Sequence, residues 1–177
     1  MSFDLNCLNL ALALRPKDKK ISSEDLKTFP IYIFGYDPED SFNPRIRKGE
    51  YSVLMGACTY YGMSNLRPIA NDVLDVGQTE RDSNNRYVKI PDYDKENFII
   101  ETENGWFVPT EARCIIDCIR YRDLVHNYDQ FLHAIEDYFD LDRTLDELYE
   151  VADFYKVPRE EVDYWIKESD DYCRRNV

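Results

Sequence analysis

Apolar residues in the last third of the chain recur at helical spacing. The pattern i, i+3, i+4, i+7 predicts an amphipathic helix, because those positions share one face of the helix. Three segments carry the apolar stripes Ala112, Ile115, Ile116, Ile119; Tyr128, Phe131, Leu132, Ile135, Tyr138, Phe139; and Leu145, Leu148, Tyr149, Ala152, Tyr155. Thr144 is the expected N-cap of the third helix, and a fourth opens at Pro158, a favoured first position. The sequence therefore predicts a carboxyl-terminal bundle of four helices.

Short extended segments fill the middle of the chain. Three of them are bounded by polar or proline-containing stretches, as strands are: Val73 to Val76, Tyr87 to Ile90 and Asn97 to Glu101. Asn104-Gly105 separates two apolar triplets, and this dipeptide accepts the positive φ angles of a type I′ hairpin turn. A helix within 51–63 precedes the strands and ends at Gly62, a suitable C-cap. We therefore predict an α+β fold in which a small antiparallel sheet packs against the helical bundle.

The first fifty residues have a different pattern. Two short helices, the second opening at Ser22 or Ser23, precede a strand at Pro30 to Phe34. This order suits a reduced winged helix, but equal numbers of acidic and basic residues do not suit a DNA-recognition helix. We predict a small mixed amino-terminal section over 1–50, for which a degenerate winged helix stays open, and an α+β domain over 51–177.

The net charge of the chain excludes some classes of binding partner. The chain of 177 residues has 35 acidic and 22 basic side chains, a net charge of −13, and residues 111–177 carry −9 of it. Such a charge opposes the phosphate backbone and anionic lipid, so we expect neither nucleic-acid binding nor membrane association. No apolar run is long enough to span a bilayer, and five cysteines without zinc-finger spacing indicate the reducing cytoplasm. A basic protein partner suits this balance best.

Three short segments resemble one protein family. They are R-I-R-K-G-E-Y at 45–51, G-A-C-T-Y-Y-G at 56–62 and V-P-T-E-A-R-C-I-I-D-C-I-R-Y at 108–121. In this order they resemble antitoxins of the abortive-infection type IV class, the AbiEi-like family, over residues 45–160. The resemblance implies a protein without catalytic activity that opposes a nucleotidyltransferase-like toxin. The basic winged helix-turn-helix with which that family binds its operator is not evident at the amino end of this chain.

Glu111, Arg113 and Asp117 occupy roughly the positions of the E-R-A-x-x-D stretch that opens the terminal bundle of that family. Asp117 follows Arg113 by four residues, so the two can be neighbours on the surface of a helix. Glu111 lies near the helix amino terminus, where the dipole favours a carboxylate. We expect these residues to stabilise the start of the bundle rather than to contact a partner.

The acidic residues of the bundle are the candidate binding residues. Those predicted to meet a basic partner are Glu136, Asp137, Asp146, Glu147, Glu150 and Asp153. On the third helix they fall opposite the apolar stripe, where a solvated face belongs. Three interpretations stay open, in the order that such charge runs favour: a solvated face, a partner-binding face, and a set of oxygen ligands for a divalent metal.

Residue patterns for catalysis are lacking in the sequence. The two histidines, His126 and His133, lie seven residues apart, and a histidine at the edge of a core is far commoner than a catalytic base. Cys114 and Cys118 share a helix face but make an incomplete zinc site. No glycine loop follows a phosphate-binding pattern. We therefore predict no catalytic residue, no cofactor and no metal.

The function that these observations favour is protein binding. Fourteen tyrosines support it, because tyrosine is enriched at interfaces. We predict a non-enzymatic cytoplasmic protein that binds and neutralises a protein partner, antitoxin-like or part of a mobile-element defence system. The alternative is an acidic inhibitor of the anti-restriction or anti-CRISPR type, which mimics nucleic acid in the groove of a DNA-binding protein. A metal-dependent hydrolase that uses the carboxylates is the weakest interpretation.

Overall fold

The computed structural model describes residues 46–63, 71–83, 85–141 and 143–176. They belong to a single compact unit, Pro44–Val177. The helices and the strand predicted before residue 45 lie outside the described residues. The fold is α+β, as the hydrophobic pattern predicts.

Two pairs of short strands form the β part of the fold. They are β1 (Asn71–Leu74), β2 (Asn85–Val88), β3 (Ile99–Glu101) and β4 (Phe107–Pro109). The pair β3–β4 is antiparallel, as predicted, but β1 and β2 run parallel, with Val73 opposite Tyr87. The predicted antiparallel sheet is therefore present in β3–β4, whereas the strands predicted near Val73 and Tyr87 form a parallel pair. Two parallel strands cannot be joined by a tight hairpin, because the second strand must begin at the same end of the pair as the first. The chain between β1 and β2 therefore returns to the end at which β1 began.

An extended segment at residues 50–53 joins the two pairs. Ser52 donates its backbone N–H to the carbonyl oxygen of Phe107 at 2.8 Å, and Val53 donates to that of Asp72 at 2.9 Å. Helix α1 (Leu54–Tyr60) follows directly, and its Gly56 packs against the backbone of β1. A Cβ atom at Gly56 would lie 2.6 Å from the backbone nitrogen of Asp72, so only glycine fits this contact.

Glycines end two of these elements. Gly62, with φ +74°, donates to the carbonyl oxygen of Thr59, and Met63 donates to that of Cys58. This Schellman arrangement confirms the predicted C-cap. In the β3–β4 hairpin Gly105 has φ +75° while Asn104 does not have a positive φ. The predicted hairpin is confirmed, but the predicted type I′ turn is not present. Such a turn needs a positive φ at both central residues, whereas this loop is a tight turn in which only the following Gly105 is left-handed.

Four helices form the carboxyl-terminal part, as predicted. They are α2 (Glu111–Arg120), α3 (Tyr128–Asp140), α4 (Leu145–Tyr155) and α5 (Arg159–Asn176), with a short 3-10 turn (Arg122–Leu124) between the first two. Helix α2 is central, since every residue from Ala112 to Ile119 is buried. Thr144 caps α4, as predicted, and α5 starts directly after Pro158. No helix in the described ranges combines the length and the apolar character needed to cross a lipid bilayer.

Candidate functional site

The acidic residues of α4 lie on its solvent face. Leu148, Val151 and Ala152 are buried against the core. The side chains on the opposite face, all of them exposed, are Asp146, Glu147, Glu150 and Asp153. Leu145, predicted to belong to the buried stripe, is 38% exposed, because it begins the helix before the turn that packs against the core. The acidic face therefore includes one exposed apolar side chain.

Glu147 has a structural task at the start of α4. The backbone N–H of Thr144 donates to its Oε2 at 3.0 Å, and its own N–H donates to Oγ1 of Thr144 at 3.4 Å. The Tyr138 hydroxyl donates to the same Oε2 at 3.2 Å. The hydrogen bond from the Thr144 backbone lowers the pKa of Glu147. This carboxylate is ionised and held by a capping box.

Asp153 is paired across the turn between α4 and α5. Nη2 of Arg159 lies 2.5 Å from its Oδ2, and Nε donates to Oδ1 at 3.2 Å. This hydrogen bonding lowers the pKa of Asp153. Asp146 and Glu150, by contrast, have no ion pair with any described residue. Among the four acidic residues of α4, these two are the ones left for a cationic partner to neutralise.

A small cleft opens beside Glu147 and Glu150. Its volume is about 230 Å³, and Phe98, Ala112 and Val151 form an apolar part of its wall. Glu111, Arg143, Glu147 and Glu150 also line it. Nη2 of Arg143 lies 2.6 Å from Oε1 of Glu111, and the lining of three carboxylates and one guanidinium gives the cleft a net negative charge. The cleft suits the apolar stem and cationic head of a lysine or arginine side chain.

Glu136 and Asp137 lie on α3, away from the exposed face of α4. Glu136 is exposed and accepts a hydrogen bond from the Cys173 thiol at 2.9 Å. Asp137 is only 5% exposed, and its Oδ2 has no hydrogen-bond partner among the residues that the structure describes. Burial raises the pKa of Asp137 to about 6. The placement of Asp137 on an exposed partner-binding face is therefore wrong, because its position on α3 points into the protein.

Arg113 and Asp117 form the centre of a buried polar network. Both side chains are 0% exposed, and Nε of Arg113 lies 3.1 Å from Oδ2 of Asp117. Asp117 also accepts from Arg120 at 2.9 Å and from the Tyr93 hydroxyl at 3.1 Å. Burial raises the pKa of Asp117, and the two arginines oppose that rise. The predicted pairing is present, but the pair lies in the core instead of on a helix surface.

Two tyrosines and a loop complete this network. The Arg113 guanidinium lies between the rings of Tyr93 and Tyr155, at 4.7 and 5.1 Å from their centroids. It donates to the carbonyl oxygen of Asp94 at 2.6 Å and to that of Asn97. The Tyr155 hydroxyl donates to Oδ2 of Asp94 at 3.0 Å. The network thus ties the 93–97 loop and α4 to α2, and its polar groups are occupied by one another.

Sequence reasoning found Asp117 but not the other partners of Arg113. The spacing of Asp94 and Asn97 is a signal that could have indicated a turn, because Asp94 accepts from the backbone N–H groups of Glu96 and Asn97. No sequence signal joins that turn to an arginine sixteen or more residues away. Glu111, the third residue of the predicted group, is not in the network and pairs with Arg143 instead.

Three thiols are packed together in the core. Sγ of Cys58 lies 3.9 Å from Sγ of Cys118, and Cys114 donates to the carbonyl oxygen of Pro109 at 3.5 Å. All are free thiols and fully buried. Burial raises the pKa of Cys114 well above its ordinary value. The hydrogen bonds from the neighbouring thiols, that of Cys114 first, lower the pKa of Cys58 to about 5. All three sulfur atoms are nevertheless inaccessible to solvent and pack as small apolar side chains.

The two histidines have different neighbours. Nε2 of His126 lies 2.6 Å from a guanidinium nitrogen of Arg86. His133 is partly exposed beside the core, with Nδ1 3.4 Å from Oε2 of Glu136 and 3.9 Å from Sγ of Cys173. Burial raises the pKa of Cys173 to about 12, with a contribution from the hydrogen bond to Glu136. The thiol is therefore protonated at neutral pH when nothing is bound.

The comparisons with known proteins add no family to this geometry. No protein-family model matches the chain, and no curated protein sequence shows significant similarity to it. The resemblance to the AbiEi-like antitoxins therefore stays a prediction.

Proposed function

We propose that this chain is a non-enzymatic cytoplasmic protein that binds a basic protein partner through the exposed face of α4. The observation that carries the proposal is the pair Asp146 and Glu150, exposed carboxylates without an ion pair to any described residue. Unpaired charge on one face attracts an opposite charge and accelerates encounter. The AbiEi-like resemblance extends the proposal to a toxin as the partner.

The cleft beside Glu150 supplies a second contact for such a partner. Its three carboxylates exceed its single guanidinium, and Phe98 offers an apolar wall. A lysine or arginine of the partner entering here would keep its apolar stem on the wall and its charge at the carboxylates. The cleft would thus recognise one basic side chain of the partner specifically, in addition to the electrostatic attraction between the acidic face of α4 and the partner.

Apolar anchors lie next to the acidic residues. Phe154 is 50% exposed, and its ring packs edge-on against Phe98 at a centroid distance of 5.3 Å. Leu145 directly precedes Asp146 and is also exposed. Interfaces combine a few large apolar or aromatic residues with a polar rim, and binding energy concentrates in the former. Phe154 is therefore the expected anchor of the interface.

Charge reversal tests the proposal. The partner is captured from the native host with the full chain, and its association rate is measured for the wild type and for Asp146→Lys/Glu150→Lys. The matched control is Glu101→Lys/Glu103→Lys, which changes the net charge equally at the β3–β4 hairpin, where both residues are exposed. We expect association of the α4 variant to slow by about tenfold at low salt, with most of that loss gone above roughly 0.5 M salt.

The control decides between a specific and a general charge effect. Equal rates for the two reversed variants would contradict the assignment of the interface to α4. Competition for the captured partner by a short DNA duplex would instead support the alternative, an inhibitor that mimics nucleic acid.

A further inference from the structure

We propose that His133, Glu136 and Cys173 form a binding site for a divalent transition metal, with Zn²⁺ preferred, where the end of α5 packs against α3. Their ligand atoms Nδ1, Oε2 and Sγ all lie within 4.8 Å of one another. The three side chains supply three kinds of metal ligand. This site is separate from the partner-binding face of α4 and departs from the expectation, drawn from sequence, that the chain binds no metal.

Helix packing places the three ligands together. His133 and Glu136 are three residues apart on α3 and therefore share one face. On α5, Ser169 is one turn before Cys173 and is almost fully buried. Its hydroxyl donates to the carbonyl oxygen of Leu132 at 2.6 Å, which fixes this face of α5 against α3. Cys173 is brought to the histidine and the glutamate by the same contact.

Two of the three distances between the ligand atoms are close to the edges of a zinc tetrahedron. Zinc bonds to nitrogen, oxygen and sulfur place neighbouring ligand atoms about 3.3 to 3.7 Å apart in tetrahedral geometry. Nδ1 of His133 lies 3.4 Å from Oε2 of Glu136 and 3.9 Å from Sγ of Cys173. The third edge, from Sγ of Cys173 to Oε2 of Glu136, is 2.9 Å. It is shorter because the thiol proton bridges those two atoms, and small side-chain rotations would open it.

Metal binding exchanges that proton for the ion. The S–H bond of Cys173 breaks, the sulfur–metal bond forms, and the proton passes to solvent, while Glu136 turns from hydrogen-bond acceptor to ligand. Thiolate and carboxylate together balance the two positive charges of the metal. Nδ1 of His133 binds as a neutral donor, and the edge-on ring of Tyr172 at 5.6 Å limits rotation of the imidazole.

The donor set and its surroundings select the kind of metal. Thiolate and imidazole favour Zn²⁺ and its analogue Co²⁺ over Mg²⁺ and Ca²⁺, which prefer oxygen ligands. Asp170 and Arg174 line the same depression as Glu136 and Cys173. Asp170 is not part of the three-ligand cluster, so its carboxylate would approach the ion through a water molecule. Its 4.0 Å pairing with Arg174 reduces the repulsion of that guanidinium toward a cation.

Cobalt provides the direct test, because a thiolate ligand gives Co²⁺ a charge-transfer absorption band. The full-length chain, kept reduced with a phosphine, is titrated with Co²⁺, and we expect the band to saturate at one ion per chain. Cys173→Ala should abolish the band, which assigns it to this thiol among the five cysteines of the chain. Zn²⁺ should displace the cobalt and raise the melting temperature of the wild type but not that of Cys173→Ala.

Two exposed substitutions with matched controls test the other ligands. Glu136→Gln and His133→Gln should each weaken Zn²⁺ affinity by about tenfold or more, measured by competition with a chromophoric chelator. Glu160→Gln on α5 and His126→Gln, which alter the same residue types outside the cluster, should bind as the wild type does. Circular dichroism of each variant confirms the fold. The proposal is overturned if the wild type gives no cobalt band, if Cys173→Ala retains it, or if Glu136→Gln binds zinc as tightly as Glu160→Gln.

Discussion

The buried network around Arg113 and the exposed face of α4 both contain charged residues, but the charges of the network are paired inside the protein and those of α4 face water. In the network, the charges of Arg113 and Asp117 are 0% exposed and are met by each other, by Tyr93 and by backbone carbonyl groups. On α4, Asp146 and Glu150 face water without an ion pair to a described residue. A charge whose partners lie within the protein stabilises the fold, whereas an unpaired charge at the surface is available to a second molecule.

Asp137 belongs to neither region. It is buried like Asp117, yet one of its carboxylate oxygens has no hydrogen-bond partner within the described ranges. The contrast shows that burial alone does not make a charge structural. What matters is whether each polar group that leaves water gains a partner, because an unpaired buried group bears the full cost of desolvation.

The largest expected effect comes from breaking the buried network. Arg113→Leu removes the guanidinium from between two tyrosine rings and leaves Asp117 with less compensation. We expect the free energy of unfolding to fall by about 3 to 5 kcal/mol, measured by urea denaturation at pH 7. The double variant Arg113→Leu/Asp117→Leu should lose less, because it leaves no uncompensated charge. A loss for the single variant as small as that of a surface pair would show that the network is not structural.

A smaller effect, of opposite sign, should come from Asp137→Asn. The folded-state pKa of about 6 lies above the ordinary value of 3.8, so ionisation destabilises the folded protein as pH rises through this range. At pH 4 wild type and variant should be nearly equal in stability, whereas at pH 8 the variant should be more stable by about 2 to 3 kcal/mol. Urea denaturation with a chelator present measures both. A difference between the two proteins that does not change with pH would contradict this assignment.

The smallest effect is expected at the exposed pair of Arg143 and Glu111. Although Nη2 and Oε1 are only 2.6 Å apart, the arginine side chain is 42% exposed, and solvent screens the pair. Arg143→Gln should lower the free energy of unfolding by less than about 1 kcal/mol. The same variant removes the cation that lines the cleft beside three carboxylates, so association with a basic partner should become faster at low salt. Slower association would contradict the role proposed for the cleft.

Local periodicity and capping chemistry determined most of the secondary structure. The four terminal helices, the Thr144 cap, the Gly62 cap and the β3–β4 hairpin depend on residues within a few positions of one another. Interactions between residues so close in the chain can be predicted from the sequence itself. For the same reason, the spacing of Arg113 and Asp117 predicted their contact correctly, since both lie on one helix.

Tertiary structure decided where each charge lies and what it meets. Whether Asp137 is buried, whether Arg113 lies between two tyrosines, and whether β1 and β2 run parallel depend on segments far apart in sequence. The cluster of His133, Glu136 and Cys173 is of the same kind, because 40 residues separate its histidine from its cysteine. Periodicity identifies the face of a helix, but only the packing of other elements on that face determines which side chains leave water and which partners they gain.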